Sequence, residues 1–356
     1  MDMKALKYSI LTTLALSICL QSCEKASLSN NETEEEPEYI TLSLGISGDG
    51  NGTETRSDSD VHLYGINVFY DSKKDGNIDT HYAYGLFDNK QDMTIQLLSG
   101  YKYRFSCTMV KNGKSLLYCG QYGSNTFSGY AKPFQTNSSP STKLSNAFVY
   151  GTTYLSGIAT GTATLKSSTS STGYVEHTIP SIERYFGQVT DYTPIVGGTV
   201  VIPLKKTVFA ARFIIASVPE GTLSGSCSIK PDKTSYYDGT EISAWSGSTN
   251  NVIYDSGAKI YSYPDVYDCW KNESTLNSTV TWDFTSSTFN QWNQSGTKAV
   301  SFKRNVLTTV TIACTPDNAK GSIVLDEETI GEDNNINMYL NSDGVIVIGI
   351  DPQPED

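Results

Sequence analysis

Four oxygen-bearing side chains crowd one short segment of the chain and raise the question of cation chemistry. They are Asp71, Asp75, Asn77 and Asp79 in the sequence DSKKDGNID. Carboxylate and amide oxygens are the ligands that Ca²⁺ takes, and a glycine such as Gly76 permits a sharp calcium loop. The EF-hand spacing with its distal glutamate is absent, however, and Lys73 and Lys74 would repel a cation. We therefore interpret this segment as a hairpin turn and predict no metal site.

The histidines and the motifs of common enzymes indicate no catalytic residue. The chain has only 3 histidines, and these lie far apart in the sequence, at positions 62, 81 and 177. No Gly-x-Ser-x-Gly elbow, phosphate-binding loop or His-Glu-x-x-His motif occurs. Carboxylate pairs can be chosen anywhere among 38 Asp and Glu residues, so they do not indicate a glycosidase. We expect a protein that is not an enzyme and has no cofactor.

One cysteine has a sequence context that predicts covalent modification. Lys4 and Lys7 precede an apolar stretch at 10–20, which is too short to span a bilayer but suits a secretory signal. The stretch ends in Leu-Gln-Ser-Cys at 20–23, which resembles a bacterial lipobox. The resemblance implies a signal peptide at 1–22 and lipidation of Cys23. An ordinary secretory signal with a chance cysteine is the alternative.

The segment at 23–38 is polar and acidic and has too little apolar surface to fold. We predict a flexible tether there. Its Glu34-Glu35-Glu36 run resembles the surface-export signals of Bacteroidetes lipoproteins, with a plain solvated spacer as the alternative.

The remaining cysteines predict thiols rather than a zinc or redox site. Five stay in the mature chain, at 107, 119, 227, 269 and 314, and none forms a Cys-x-x-Cys pair. A two-residue hairpin turn at Asn112-Gly113 would put Cys107 and Cys119 on opposite faces of a sheet, whereas a three-residue loop would bring them face to face. We favour buried free thiols.

Charge and composition exclude some functions and favour a β-rich fold. With 26 basic and 38 acidic residues the net charge is −12, which argues against a nucleic-acid partner because phosphates are neutralised by clustered Lys and Arg. Only 18% of the residues are charged, while 23 Tyr and 29 Gly are present. Few charges and many aromatic residues weigh against a helical protein.

Period-2 alternation predicts several strands. At 39–47 alternate apolar residues share one face, at 61–70 both faces are apolar, and 101–110 alternates again before the turn at 112–113. A loop or weak edge hairpin is expected at 156–173, a long strand at 208–218 and a final hairpin at 336–350. Strands with turns at this spacing favour β-sandwiches over βαβ units.

These features together resemble the fimbrillin superfamily of Bacteroidales, the pilins and anchors of lipoprotein-derived fimbriae. Besides the lipobox and the acidic leader, the resemblance rests on four segments. They are VHLYGINVFYDSKKDGN (61–77), YAYGLFDN (82–89), MTIQLLSGYKYRFSCTMVKNGK (93–114) and IPLKKTVFAARFIIASVPEG (202–221).

The resemblance implies an all-β fold with two tandem transthyretin-like antiparallel β-sandwich domains, which we place at 39–192 and 193–356. It also implies a lipid anchor in the outer membrane, surface exposure, and partners among other fimbrial subunits and surface ligands of host or bacterial cells. In such pilins a trypsin-like protease cuts after an arginine in the first-domain leader and opens a groove for a donor strand.

Arg56, followed by Ser57, fits that processing site because it is the only arginine before residue 104 and lies between two predicted strands. A plain surface arginine is the alternative, and anchor-type members of the family are not cut. The hairpin at 336–350 is either a donor segment or an ordinary final hairpin.

A glycan-binding surface lipoprotein is the second functional hypothesis. The segment 236–292 is rich in aromatic residues, and Trp245 and Trp270 are its candidate sugar contacts. Packing in the core or loops of a β-sandwich is the alternative, and we favour it for these residues.

Overall fold

The structure is a computed structural model of the 356-residue chain. It describes residues 37–48, 61–122, 125–136, 140–166, 173–216, 221–231, 240–249, 253–286, 294–313, 323–330, 337–340 and 346–349. Strands dominate this part of the chain, and the all-β prediction is confirmed. Among the described residues there is no helix with the length and apolar character to cross a membrane.

In the described residues up to 206, the chain forms twelve strands and one short helix. The strands are β1 (Tyr39–Gly48), β2 (Leu63–Tyr70), β3 (Thr80–Phe87), β4 (Thr94–Leu98), β5 (Tyr103–Val110), β6 (Tyr118–Tyr122), β7 (Asn125–Tyr130), β8 (Phe148–Tyr150), β9 (Ala163–Lys166), β10 (Tyr174–His177), β11 (Arg184–Tyr192) and β12 (Thr199–Lys206). The helix α1 spans Gly113–Leu116, and a 3-10 turn precedes β4 at Lys90–Asp92.

The described residues from 208 onward add eleven strands and the helix α2 (Val266–Asn272). The strands are β13 (Val208–Ala216), β14 (Gly221–Pro231), β15 (Thr240–Thr249), β16 (Ile253–Asp255), β17 (Lys259–Ser262), β18 (Leu276–Ser286), β19 (Gln294–Phe302), β20 (Val306–Ala313), β21 (Ile323–Thr329), β22 (Asn337–Leu340) and β23 (Ile346–Gly349).

The largest sheet has eight strands in the order β4-β1-β12-β11-β5-β2-β3-β8. Only the β1–β12 pair is parallel; the other neighbours run antiparallel. Alternate side chains of its strands fill one apolar core, as the predicted periodicity requires. The inward residues predicted for β5, Tyr103, Phe105, Cys107 and Met109, all belong to that core.

The two edge strands of this sheet meet, so the sheet is curled onto itself. The hydroxyl of Tyr82 on β3 donates to the carbonyl oxygen of Gln96 on β4 at 2.9 Å. The Gln96 amide in turn donates to the hydroxyl of Tyr150 on β8 at 2.9 Å. Tyrosine side chains therefore take the place of a main-chain ladder between β4 and the β3–β8 edge.

The second half contributes two further sheets that share a core. One has the order β16-β13-β20-β21, with β17 on another part of β13, and the other has the order β15-β14-β18-β19. Phe213 on β13, Val280 on β18 and Phe302 on β19 belong to a single buried cluster. As in the first half, the long first strand has a parallel partner, because β13 pairs in parallel with β20.

The chain passes from the first sheet to the next at Thr207. Strand β12 lies after residue 193 in the sequence but pairs with β1 and β11. The buried Thr207 donates its amide to the Arg184 carbonyl at 2.9 Å and accepts from the Tyr263 amide at 3.0 Å. The division into two transthyretin-like domains, 39–192 and 193–356, stays a prediction.

The predicted hairpin at Asn112-Gly113 is wrong. Asn112 does adopt the left-handed φ of 55° that such a turn needs, but the helical turn α1 follows it. Strand β5 already pairs with β2 on one side and β11 on the other, so it has no free edge for a hairpin partner. The chain instead turns away to bury Leu117, and β6 pairs with β7.

Three other sequence predictions are confirmed. Residues 71–79 form the turn of the β2–β3 hairpin, where the Asp71 carboxylate accepts from the amides of Asp75 at 3.0 Å and Gly76 at 2.8 Å. The final hairpin appears as β22 paired with β23. Of the hairpin β9–β10, only β9 falls within 156–173, because β10 begins at Tyr174. Cys107 and Cys119 are buried free thiols, as is Cys269.

Candidate functional site

Strand β1 is inserted between two strands that come much later in the sequence. Its first half, from Tyr39 to Ser43, pairs antiparallel with β4, and its second half, from Ser43 to Gly48, pairs in parallel with β12. The Leu44 amide also donates to the carbonyl of Met93, just before β4, at 2.8 Å. We call the space that β1 occupies between β4 and β12 the β1 slot.

The side chains of β1 alternate between the core and the surface. Ile40, Leu42, Leu44 and Ile46 are all buried, and each joins the core of the first sheet. They pack in the same cluster as Ile95 on β4 and Ile202 on β12. The β1 slot therefore has an apolar floor with four side-chain positions and two walls of main-chain donors and acceptors. That geometry suits the binding of an extended peptide strand.

The wall formed by β4 is held from its far side by tyrosine hydroxyls. Tyr82 and Tyr150 bond the main chain of Gln96, and Tyr103 both accepts from the Leu98 amide at 2.8 Å and donates to the Leu98 carbonyl at 3.2 Å. Burial raises the pKa of Tyr82 and Tyr103 well above the ordinary tyrosine value, so both hydroxyls stay protonated as donors. None of these bonds involves β1.

A cluster of charged residues lies at the start of β11, around the buried Glu183. The Glu183 carboxylate lies 3.2 Å from Lys111 Nζ and 3.5 Å from Lys206 Nζ, and the Tyr185 hydroxyl donates to it at 2.5 Å. Burial acts to raise the pKa of Glu183, but the two lysines and the hydroxyl outweigh it and lower that pKa. This cluster keeps the carboxylate charged where β12 leads into β13.

Arg184 is fully buried and has no carboxylate partner among the described residues. Its Nη2 donates to the carbonyls of Gly157 at 2.8 Å and Ile158 at 3.0 Å, while Nε and Nη1 have no hydrogen-bond partner in that same part of the chain. Burial lowers the pKa of the guanidinium to about 9. No sequence pattern predicts the burial of this residue, since a single arginine at a strand start looks like any surface arginine.

The residues predicted for processing and lipidation lie outside the described part of the chain. These are Cys23, Arg56 and Ser57. What the structure does place is the strand between them, because β1 ends at Gly48 and β2 begins at Leu63. The predicted cleavage site therefore falls on the connection that follows β1.

The two predicted glycan contacts are not brought together in the described structure. Trp245 lies on β15, paired with Gly225, and its side chain is outside the described residues. Trp270 on α2 is half-buried, with its ring 5.6 Å from that of Phe186 on β11 and 6.0 Å from that of Tyr267. These contacts give Trp270 a packing role, and its contact with a glycan stays a prediction.

The contacts that close the sheet were missed from the sequence. Tyr82, Tyr103 and Tyr150 were counted as strand-forming aromatic residues, without partners for their hydroxyls. A signal does exist, since a buried tyrosine hydroxyl needs a hydrogen-bond partner and these strands are rich in tyrosine. The identity of that partner depends on which strands become the sheet edges, and the sequence pattern does not contain this information.

Comparison with known proteins finds relatives only among solved structures. No protein-family model matches the chain, and no curated protein matches it. A fimbrial assembly protein from Parabacteroides distasonis aligns over 83% of this chain and 97% of its own at 13% identity, with a TM-score of 0.32. The fimbrial anchor protein Mfa2 from Porphyromonas gingivalis aligns over 83% of this chain and 99% of its own at 10% identity, with a TM-score of 0.35.

The C-terminally truncated tip fimbrial protein Mfa3, also from Porphyromonas gingivalis, aligns over 82% of this chain and 100% of its own. Its identity is 8% and its TM-score 0.31. These three solved structures are of fimbrial proteins.

Proposed function

We propose that this chain is a structural subunit of bacterial surface fimbriae, a pilin, tip or anchor protein that contributes to cell adhesion and assembles by exchange of a β-strand. The observation that carries the proposal is the position of β1. It is the strand that precedes Arg56, and it fills a slot between β4 and β12 with its apolar side chains buried. No catalytic step belongs to this function.

Removal of β1 would leave a site that only another strand can fill. The main-chain groups of β4 and β12 that now pair with β1 would lose their partners, and the four positions filled by Ile40, Leu42, Leu44 and Ile46 would open. An unpaired edge next to an apolar groove binds a foreign extended segment with alternating apolar side chains. Since the tyrosine hydroxyls hold β4 without help from β1, the slot keeps both walls after β1 leaves.

Processing at Arg56 would release β1 because this arginine follows the strand. A cut after Arg56 makes Ser57 the new first residue and leaves β1 attached by non-covalent contacts alone. The segment removed also carries Cys23, so the cut separates the subunit from its lipid. A subunit that is not cut keeps β1 in the slot and stays on the outer membrane, which is the behaviour of an anchor.

Digestion by an arginine-specific protease tests the polymerising role. The mature chain is treated with the protease, and its products are examined by gel electrophoresis without heating and by electron microscopy. We expect ladders and filaments from the cut wild-type chain and monomers from the Arg56→Ala variant. A cut chain that stays monomeric contradicts the polymerising role and leaves the anchor role, which acylation of Cys23, seen by mass spectrometry, would support.

The source of the donor strand is tested by a chain that ends at residue 335. This truncation removes the β22–β23 hairpin, whose second strand lies in the apolar sequence VIVIGI at 345–350. Loss of the ladders with unchanged thermal unfolding would identify the hairpin as the donor. Ladders of normal length would identify it as an ordinary final hairpin.

A further inference from the structure

One end of the first sheet carries exposed apolar residues in a tight turn. We call this end the β1 pole; it consists of Tyr39 at the start of β1 and the turns at 71–79, 99–102 and 191–198. Strand register brings these parts together: Tyr39 lies opposite Leu98, and Tyr103 lies opposite both Tyr70 and Tyr192. The parallel pairing of Ser43 with Thr199 puts the 191–198 turn beside the start of β1.

The apolar side chains at the tip of the 191–198 turn are too exposed to belong to a hydrophobic core. Val196 is 83% exposed and Ile195 is 63% exposed, and Tyr39 beside them is 57% exposed. The turn is fixed, because the Gly198 amide donates to the Ile195 carbonyl at 3.0 Å and Gly197 takes a left-handed φ of 71°. Turns of this kind are usually built from polar residues, so two β-branched apolar side chains at the tip indicate a surface that is covered by something.

The residues around the tip are those that favour a membrane interface. Tyr101 and Tyr39 supply aromatic rings with polar ends, and the Lys74 ammonium lies 4.5 Å from the centre of the Tyr101 ring. Long lysine stems and tyrosine rings lie at the level of lipid headgroups while apolar tips enter the acyl region.

The pole carries a small net negative charge. Three lysines, Lys73, Lys74 and Lys102, face five carboxylates. The carboxylates are those of Glu38, Asp71, Asp75, Asp79 and Asp191. Lys102 also lies 3.7 Å from Asp191. Anionic lipid is therefore not required, and the contact is apolar.

The short chain segment between Cys23 and Tyr39 favours the lipid surface as the partner that covers the tip. The chain from Cys23 enters the fold at Tyr39, on this same pole, and 16 residue steps reach no further than about 55 Å. If Cys23 is acylated, as the proposed function holds, the pole is confined near the lipid surface and even a weak contact is populated, because it is intramolecular.

We propose that Ile195 and Val196 insert into the outer-membrane surface and hold the uncut, lipid-anchored protein with its β1 pole against the bilayer. The inference rests on the proposed function through the acylation of Cys23. It assigns the turn a role that ends when cleavage after Arg56 removes the tether.

A tryptophan at the tip tests the contact directly. The acylated chain is isolated as the Val196→Trp variant and reconstituted in phosphatidylcholine vesicles with brominated acyl chains, which quench tryptophans that reach the acyl region. The control is Leu116→Trp, since Leu116 is 42% exposed on α1, at the opposite end of β5. We expect loss of most of the added fluorescence for Val196→Trp and none for Leu116→Trp, with the unsubstituted chain as the background.

The possible failures are distinguishable. A Val196→Trp chain that sediments with the vesicles but is not quenched overturns the contact and leaves the anchor in place. A chain that does not sediment contradicts acylation and overturns the contact with it. A concentration-dependent blue shift of the tip tryptophan without lipid identifies a second copy of the chain as the occupant, which also overturns the proposal.

Discussion

The hydroxyl of Tyr82 lies 2.9 Å from the carbonyl oxygen of Gln96, and this contact joins strands that are near opposite edges of the eight-stranded sheet. Together with the bond from the Gln96 amide to Tyr150, it fixes the wall of the β1 slot from outside. The slot is therefore a property of the fold that does not depend on its occupant. Four predictions follow from this and from other contacts.

Substitution of Tyr82 and Tyr150 by Phe should loosen the slot. Each change removes one hydrogen bond at nearly constant volume and should lower the free energy of unfolding by about 0.5–1.5 kcal/mol. The double variant should also form fewer ladders after cleavage, because β4 is no longer held when β1 leaves. Chemical denaturation and unheated gels measure the two effects.

The control for this pair is Tyr84→Phe, on the same strand as Tyr82. The Tyr84 side chain packs against a different apolar cluster, and its hydroxyl has no bonded partner in the described part of the chain. Equal loss of ladders in the control would contradict a specific role for the Gln96 contacts.

Substitution of Leu42 by Ala should cost more than substitution of Thr41 by Ala. Leu42 is 1% exposed in the core of the first sheet, whereas Thr41 is exposed on the other face of β1. A cavity at a buried leucine lowers the free energy of unfolding by about 2–5 kcal/mol, and a surface change by less than about 0.5 kcal/mol. Thermal unfolding of the uncut chain checks the difference; similar losses would show that β1 is not part of the core.

Gly161→Ala should disrupt the contact between the first half of the chain and the segment before α2. The Gly161 amide donates to the Pro264 carbonyl at 2.9 Å, and a Cβ at Gly161 would lie 1.8 Å from the Tyr263 carbonyl oxygen. Backbone must move to relieve that clash, so we expect a loss of at least about 1–3 kcal/mol in the free energy of unfolding. At Gly120 a Cβ would meet nothing closer than 3.7 Å, which makes Gly120→Ala the matched control. Equal stability of the two variants would refute the close approach.

The buried thiols should resist alkylation, and they should lower the free energy of unfolding at high pH. Burial raises the pKa of Cys119 to about 11 and that of Cys269 to about 12, from 9.0. Between pH 9 and these values the folded state keeps protons that the unfolded state has lost, so stability is complete below pH 9 and falls as pH rises. The Cys119→Ala, Cys269→Ala variant should show a shallower fall.

Two measurements check this prediction. Mass spectrometry after iodoacetamide treatment at pH 8 should find Cys107, Cys119 and Cys269 unmodified in the folded protein and modified in denaturant. Modification of the folded protein at the denatured rate would contradict burial. Denaturation curves at pH 8 and pH 10 give the slope for each variant.

Local periodicity was sufficient to predict the strands, and distant pairing was not. The alternation at 39–47 predicted both β1 and its four buried residues. Nothing in that pattern indicated that β1 would lie between β4 and β12, since register between distant strands is decided by the whole sheet. The failed hairpin at Asn112-Gly113 has the same cause, because the local turn signal was overridden by the two partners that already flank β5.

The candidate site was predicted in outline only. The sequence placed an arginine after the first strand and a cysteine before it, and these stay predictions. It did not indicate the tyrosine bonds that hold β4, nor the exposed turn at Ile195 and Val196, because both depend on where strands end in space. The packing expected for the aromatic residues of 236–292 is seen at Trp270, whose ring lies against Phe186, but the sequence pattern did not identify that partner.

The parallel pairing of β1 with β12 also bears on the order of folding. Ser43 pairs with Thr199, 156 positions later in the chain, so closing this pair costs more chain entropy than any hairpin in the sheet. We expect β1 to be the last strand enclosed, after the hairpins around it have formed. A strand that joins last can be exchanged without unfolding the rest of the sheet. Until this pair closes, the β1 slot of a newly exported subunit is empty and can bind a strand other than β1.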